Sequence, residues 1–219
     1  ISLFYPRLCV ACGRSLFSGE EIICLHCQRH LPHTTFENWS DNPVEKIFWG
    51  RIEIHSACGV YFFSKGMKIQ KIMHQLKYKG RKDAGIWLGK QMGISLNKCN
   101  RFNEIDIVVP VPLHPAKEFK RGYNQSLMIC QGVEKTTGWV VSDVIARTVN
   151  TDSQTRKSKF ERWQNVDGRF TIKPGADIRN LNALLVDDIV TTGATLEANA
   201  RALLAGGAKS VSIATIAVA

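Results

Sequence analysis

The sequence predicts an α/β fold, a parallel sheet flanked by helices, with a small four-cysteine module in front of it. Three features point there. First, an apolar run from Ala183 to Val186 is followed by Leu196, Ala200, Leu203 and Leu204 at helical spacing, by the stop signal Gly206-Gly207, and by a second apolar run, Val211 to Val218. Strand, helix and strand in that order form one βαβ unit. Second, Ile105 to Val109 has the Ile/Val content of a strand buried on both faces. Third, four of the seven cysteines stand as Cys9-x-x-Cys12 and Cys24-x-x-Cys27, apart from either pattern. A chain of 219 residues can bury one sizeable core and one small extra module. The expected division is a metal-binding module over 1–35, a linker over 36–54 and the α/β domain over 55–219.

Between the strand and helix of the βαβ unit lie Asp187 and Asp188, then a loop of Thr and Gly through Thr195. That loop sits at the carboxyl end of a strand and the amino end of a helix, where open α/β sheets bind ligands. Unpaired backbone N–H groups there suit a phosphate. Carboxylates repel phosphate, so Asp187 and Asp188 should face ribose hydroxyls or a divalent cation. A phosphate cradle beside paired acids describes a phosphorylated sugar. Gly193 fits as the point where backbone approaches ligand, and Thr191, Thr192 and Thr195 add hydroxyl donors around it. The spacing matches neither Walker A nor the dinucleotide G-x-G-x-x-G pattern. The plain alternative is a strand ending in a polar turn with Thr as a helix cap. An exposed turn would not need two adjacent acids and a Thr/Gly loop.

The run Val-Asp-Asp-Ile-Val-Thr-Thr-Gly-Ala-Thr resembles the phosphoribosyl pyrophosphate (PRPP) loop of type I phosphoribosyltransferases. By that resemblance Asp187 and Asp188 hold the ribose hydroxyls. Thr191, Thr192, Gly193, Ala194 and Thr195 hold the 5′-phosphate, and Mg²⁺ accompanies PRPP.

Each C-x-x-C can present two thiolates to one metal from a tight turn, and two such turns complete a tetrahedral Zn²⁺ site, here Cys9, Cys12, Cys24 and Cys27. Gly13 and Gly19 supply turn positions, and the module is zinc-ribbon-like. So short a segment has few apolar residues, and metal binding would supply its folding energy. Two disulfides are the competing reading, disfavoured in a reducing cytosol; a redox C-x-x-C would occur once and open a helix. His26 and His30 could replace a ligand, although four cysteines already close the shell. Cys58, Cys99 and Cys130 read as buried small hydrophobes.

A formal net charge of +10 points to an anionic partner: nucleotide, pyrophosphate or nucleic acid. The charge is spread over Lys65 to Lys82, Lys117 to Arg121 and Arg147 to Arg169. No apolar run reaches the ~20 residues needed to span a bilayer. The start at Ile1 shows neither a basic n-region nor a small-residue cleavage site, so a cytoplasmic protein is expected.

Along the chain, 36–54 reads as linker with aromatic anchors Phe36, Trp39, Phe48 and Trp49. His55 to Phe63 alternates toward a strand, and Ile69, Ile72, Met73 and Leu76 share one helical face. The basic knot Lys77 to Lys82 then either complements that helix's dipole or sets Lys77 and Lys79 over an anionic ligand; both accounts stand. After Ile105 to Val109, Pro110-Val111-Pro112 turns the chain out of the sheet. The following stretch carries Leu113, His114, Lys117, Lys120 and Arg121, and Asn124 can cap the next helix. Val140 to Ala146 looks like one further strand. Thr148 to Gly168 is a long polar stretch, a length usual for a lid over a site that excludes water.

The order of C-x-x-C pair, Leu-Lys-Tyr, Val-Pro-Val-Pro-Leu, Arg-Gly-Tyr-Asn-Gln, Gln154 with Arg162 and Asn165, then the PRPP loop resembles the ComF family, which includes GntX-like proteins. The resemblance covers nearly the whole chain. It implies a type I phosphoribosyltransferase fold and an association with DNA uptake in natural transformation. By topology, a pyrophosphate loop falls on Val111 to Asn124, with Leu113, His114, Lys120 and Arg121. A mobile loop falls on Thr148 to Asn165, with Gln154 and Arg162 as further anion contacts. Lys157 stands where relatives are expected to carry an apolar residue. Two classes of function share the pocket. As an enzyme, the chain would bind Mg²⁺·PRPP through Asp187 and Asp188, with Arg121, Lys120 and Lys77 stabilising the leaving pyrophosphate and an unidentified acceptor. As a binding module, it would hold PRPP or a nucleotide while zinc module and basic surfaces hold single-stranded DNA or DNA-uptake or recombination proteins. Tyr78, Tyr123 and Trp163 lie beside basic residues as candidates for stacking on bases, and each reads equally as a core or lid aromatic.

Overall fold

The computed structural model of the chain describes residues 6–147 and 169–219. Five parallel strands make the main sheet in the order β1-β7-β6-β2-β3: β1 (Ser56–Phe62), β2 (Ile107–Pro110), β3 (Val140–Val141), β6 (Asn182–Val190) and β7 (Ser210–Val218). A separate antiparallel pair joins β4 (Ile145–Arg147) to β5 (Phe170–Ile172). The helices are α1 (Leu25–Arg29), α2 (Pro43–Lys46), α3 (Lys68–Tyr78), α4 (Lys82–Asn97), α5 (Pro115–Arg121), α6 (Gln125–Thr137) and α7 (Ala194–Ala205).

Handedness fixes where the helices lie. The connection from β2 through α6 to β3 steps one way along the sheet, and that from β6 through α7 to β7 steps the other. Right-handed crossovers therefore put α6 and α7 on opposite faces. Consistent with this, α6 packs on β2, β6 and α4, whereas α7 packs on β6, β7 and the β4–β5 pair. With both faces covered, Ala183, Leu184, Leu185 and Val186 of β6 and the interior of β7 are fully buried. The steps diverge between β6 and β2, so a crevice opens at the carboxyl ends of these two neighbours. The loops after β2 and after β6 both empty into it.

Helices α4 and α6 cross at a distance only glycine permits: a Cβ on Gly89 would fall 1.9 Å from the Ile129 carbonyl oxygen, and one on Gly132 2.1 Å from that of Ile86. Substitution at either would push apart the layer that supports the amino end of α6.

The stretch 36–54 is anchored to β1. Phe36 and Phe48 are buried, while Trp39 and Trp49 remain exposed. Asn42, wholly buried, caps α2 by accepting from the Val44 and Glu45 amides and donates to the carbonyls of Phe36, Trp39 and Ala57. Glu45 in turn accepts from the Ala57 amide at 3.0 Å and pairs with Arg101.

Two expectations about strands change. Val140 to Ala146 is not one strand: Val140–Val141 extends the main sheet, a turn follows at Ser142-Asp143, and Ile145–Arg147 leaves to pair with β5. In that turn the Ser142 amide donates to Val108 and the Val144 amide to Ser142, so short polar residues break an otherwise apolar run. Pro110 remains in β2, opposite Val186, because the ladder bond at that point comes from the Val111 amide to the Val186 carbonyl at 3.0 Å. The chain turns out one residue later. Thr148 to Gly168, with Gln154, Lys157, Arg162, Trp163 and Asn165, lies outside the described residues.

Candidate functional site

Strand β6 runs past its apolar stretch to Val190, so both aspartates are held by the sheet itself, with Asp187 opposite Thr215 of β7. Asp187 is half-buried, and its Oδ1 accepts from the Ser126 hydroxyl at 2.9 Å and the Asp188 amide at 2.8 Å. Ser126 is set in the first turn of α6, whose cap Asn124 accepts from the Ser126 amide. Burial first, and the neighbouring Asp188 charge second, raise Asp187 to about 7, against the Asp188 amide, the Ser126 hydroxyl and Lys77. Asp188 is 8% exposed, and its Oδ2 lies 2.7 Å from the Lys77 ammonium.

Beyond the acids, Asp187 and residues 189–196 line a cradle of about 70 Å³. Gly193 caps α7 with φ +73°, a left-handed conformation natural to glycine. The first helical bond runs from the Glu197 amide to the Gly193 carbonyl. The amides of Ala194, Thr195 and Leu196 therefore have no partner within the helix and are the donors an anion in the cradle would meet. Thr191 and Thr192 are exposed.

Glycine at 193 is also required by the protein itself. A Cβ there would lie 2.6 Å from Ile47 Cγ2 and 3.1 Å from Phe48 Cε1. The stretch 36–54 is thus the wall behind the cradle. Arg51 completes it: Nη1 donates to the Thr192 carbonyl at 2.8 Å, the guanidinium pairs with Glu197 of α7, and the Arg51 carbonyl accepts from Arg201. In a trans peptide the C=O and N–H point in opposite directions, so fixing the Thr192 carbonyl toward Arg51 turns the Gly193 amide away from it. Sequence reasoning passed over Arg51, Ile47 and Ser126. The aromatic anchors flagged in 36–54 were the available signal for this wall.

On the other side of the crevice, His114 caps α5 by accepting from the Ala116 amide at 3.2 Å, so its ring serves the helix. Leu113 is half-buried, and Lys120 is exposed on a helix that buries no residue. The Arg121 guanidinium lies 5.7 Å from the Tyr78 ring centroid, which brings the ends of α5 and α3 together. Lys77 stands in the last turn of α3, where its charge complements the helix dipole, and its ammonium reaches the acid pair; Lys79 is exposed at the end of α3. Of its two readings, base stacking or core, Tyr123 takes the core one: it is buried and its hydroxyl donates to the Leu76 carbonyl. Tyr78 remains 66% exposed.

The N-terminal module holds a second site. Cys9, Cys12, Cys24 and Cys27 place their sulfurs within 4.8 Å of one another, a cluster able to hold a metal ion, and no disulfide joins them. Cys12 and Cys24 Sγ are 3.8 Å apart, which matches the edge of a tetrahedron with Zn–S bonds of about 2.3 Å. Gly13 and Gly19 adopt left-handed φ values at the turns. The second C-x-x-C does open a helix, α1, yet its thiols face the first pair. Burial raises the Cys9 thiol, but the amides of Cys24, Cys12 and Ala11 outweigh it and bring it down to about 7. Burial raises Cys24, and burial with the neighbouring thiols raises Cys27. Cys58, Cys99 and Cys130 are buried among apolar residues.

A parallel sheet covered by helices on both faces, with an acid pair and a Thr/Gly cradle at its switch point, defines a type I phosphoribosyltransferase fold. Residues 133–218 match the family model described as phosphoribosyl transferase domain. The chain is 33% identical over 216 residues to competence protein ComFC of Bacillus subtilis, covering 96% of this chain and 83% of that protein. It is 28% identical over 231 residues to DNA utilization protein YhgH of Escherichia coli, covering 96% of each. The chain belongs to the ComF family. Among solved structures it is similar to glutamine PRPP amidotransferase from B. subtilis, with a TM-score of 0.47 and 19% identity over 65% of this chain and 30% of that one. Among the described residues no helix is long and apolar enough to cross a membrane.

Proposed function

We propose that this chain is a PRPP- or nucleotide-binding, phosphoribosyltransferase-like protein of DNA uptake, acting in the cytoplasm. The observation that carries the reading is the continuous order of acid pair, cradle and α7 amino end along one buried strand and its loop. Asp187 and Asp188 take ribose hydroxyls, residues 191–195 take the 5′-phosphate through backbone amides, and Mg²⁺ enters with the pyrophosphate, which Arg121 faces. The link to DNA uptake rests on the names of the relatives, competence protein ComFC and DNA utilization protein YhgH. Zinc is the metal assigned to the four cysteines, on their number, spacing and the tetrahedral fit.

Transfer to an acceptor, in nucleotide metabolism or salvage, is the second reading. It is favoured by Asp187, a carboxylate raised to about 7 beside the ribose position, where it could exchange a proton near neutrality. Incubating the protein with Mg²⁺·PRPP and a library of base and amine acceptors separates the two: pyrophosphate release supports transfer, and PRPP bound but unspent supports the binding module. No PRPP binding at all removes both.

Single-stranded DNA is the proposed macromolecular partner, along the cations around exposed Tyr78. Its affinity should fall linearly against salt on logarithmic axes, with a slope set by the phosphates contacted. Salt-independent binding, or none at low salt, leaves the net charge of +10 to serve the small ligand.

A further inference from the structure

Behind the cradle wall lies a second, larger cleft. It opens between the stretch 40–55 and Arg101 and holds about 640 Å³, against about 70 Å³ for the cradle. Its apolar lining is Trp49, 58% exposed, with half-buried Ile52 and Ile54. The Lys46 ammonium sits 5.6 Å from the Trp49 ring centroid, so this indole already meets one cation. Two further carboxylates in the lining, Asp41 and Glu53, are exposed and pair with no cation among the described residues, whereas Glu45 is held by Arg101 and Arg51 by Glu197. The cleft thus offers an aromatic seat with unpaired negative charge, on a chain of net charge +10.

The complement stands on the same chain but out of its own reach. Helix α5 buries no residue and carries Phe119 93% exposed, with Lys117 and Lys120 exposed and unpaired among the described residues, Arg121 at its end, and Glu118 as its one acid. Aromatic rings with cations nearby are what interfaces use as anchors. Because α5 follows β2 while the cleft flanks β1, the strands β7 and β6 stand between them in the sheet order β1-β7-β6-β2. We propose that the cleft docks a second copy of this chain, which seats Phe119 of its α5 on Trp49, Ile52 and Ile54 and sets the cations of that helix against Asp41 and Glu53. The two surfaces differ, so the contact is heterologous: each copy gives α5 to one neighbour and its cleft to another, and the array closes into a ring or stays an open chain. Arg51 both lines the cleft and holds the Thr192 carbonyl, so each contact joins the loop after β2 of one copy to the cradle wall of the next. One helix in one cleft is a small contact, and the association is therefore weak and concentration-dependent.

The test is sedimentation of the full chain over a range of concentrations, free of nucleic acid so that nothing else covers α5. For the unmutated protein the average mass should rise with concentration and fall again with added salt, which screens the charges at the rim. Phe119→Ser, which removes the anchor, and Trp49→Ser, which removes the seat, should each stay monomeric where the unmutated chain associates. Mixed in equal amounts, the two should form a heterodimer and nothing larger, because the Phe119→Ser chain still has a cleft and the Trp49→Ser chain still has an anchor. Glu53→Lys, at an exposed position, supplies a second cleft variant should Trp49→Ser fold poorly; it too should be monomeric alone and pair with Phe119→Ser. An unmutated chain that stays monomeric throughout, association that survives Phe119→Ser, or mixtures in which neither cleft variant pairs with Phe119→Ser would overturn the proposal.

Discussion

The cysteine module and the acid-and-cradle site prepare for charged ligands in opposite ways. The cradle is built on the sheet: its acids belong to a strand buried between two covered faces, and its loop is backed by Ile47, Phe48 and Arg51. The module has four sulfurs within 4.8 Å and only a handful of buried apolar residues of its own, Ala11, Ile22, Ile23 and Leu31 among them. On the zinc reading its structure should depend on what the sulfurs hold, whereas the cradle's should not. The two sites should therefore respond differently to the same insults.

Metal removal should give the largest difference. A structural zinc contributes roughly 10–16 kcal/mol in isolated modules near neutral pH. Cys24→Ser, or a strong chelator, should release one zinc per chain and expose residues up to about Leu31 to hydrogen exchange. Protection should persist from Thr34, whose amide bonds the Val60 carbonyl of β1 at 3.0 Å. Reduced protein that contains no metal while the segment stays protected would break the contrast.

Gly193→Val comes next, and it damages the cradle from behind. A β-branched residue must adopt φ +73° and place its Cβ 2.6 Å from Ile47. Backbone strain and overpacking together should cost roughly 2–4 kcal/mol, read as a lower denaturation midpoint, with sulfate binding lost in the same variant. Unchanged stability would show that Ile47 and Phe48 yield and that the wall is soft.

Asp187→Asn should act through pH. The folded-state value, about 7, lies above the unfolded carboxylate value, so this group's contribution is fully present below the unfolded value and is lost as pH rises through 7. Asparagine can still accept from Ser126 and the Asp188 amide. The variant should gain on the order of 1–3 kcal/mol at pH 8 and little at pH 4, measured by denaturant titration at both. An equal shift at the two values would mean that burial is not what perturbs the group.

Arg51→Met should be the mildest. The variant loses the partly exposed bonds to the Thr192 and Ile47 carbonyls and the exposed pair with Glu197, which Arg201 still holds; such exposed contacts are worth about 0.5–1.5 kcal/mol each at most, so sulfate affinity should drop two- to tenfold with the fold intact.

The same contrast explains what could be read from the sequence. The β6–α7–β7 unit was legible because each signal, apolar run, acids, Thr/Gly loop and stop, is contiguous in the chain. The cysteine pairs were legible because ligand spacing is local. What escaped was whatever one element lends another. Ser126 meets Asp187 across a separation of 61 residues and Arg51 meets Thr192 across 141, and periodicity carries no information about such pairings. Lys77 could be flagged as a cation but not assigned to Asp188, because the crossover from β1 to β2 that brings the end of α3 to Asp188 is a property of topology. Val140 to Ala146 was misread for a related reason: its composition suits a strand throughout, and the break at Ser142-Asp143 follows from two sheets competing for its two ends.

The central claim is that the acids and the cradle grip different parts of one ligand. Asp188→Asn preserves size, removes the charge and frees Lys77. Calorimetric titration of this variant with Mg²⁺·PRPP and with sulfate should show PRPP weakened by ~1.5–3 kcal/mol, about one to two decades, and sulfate bound equally well or better, since a nearby negative charge has gone. Equal loss of both ligands, or no change in either, would contradict the division of the site.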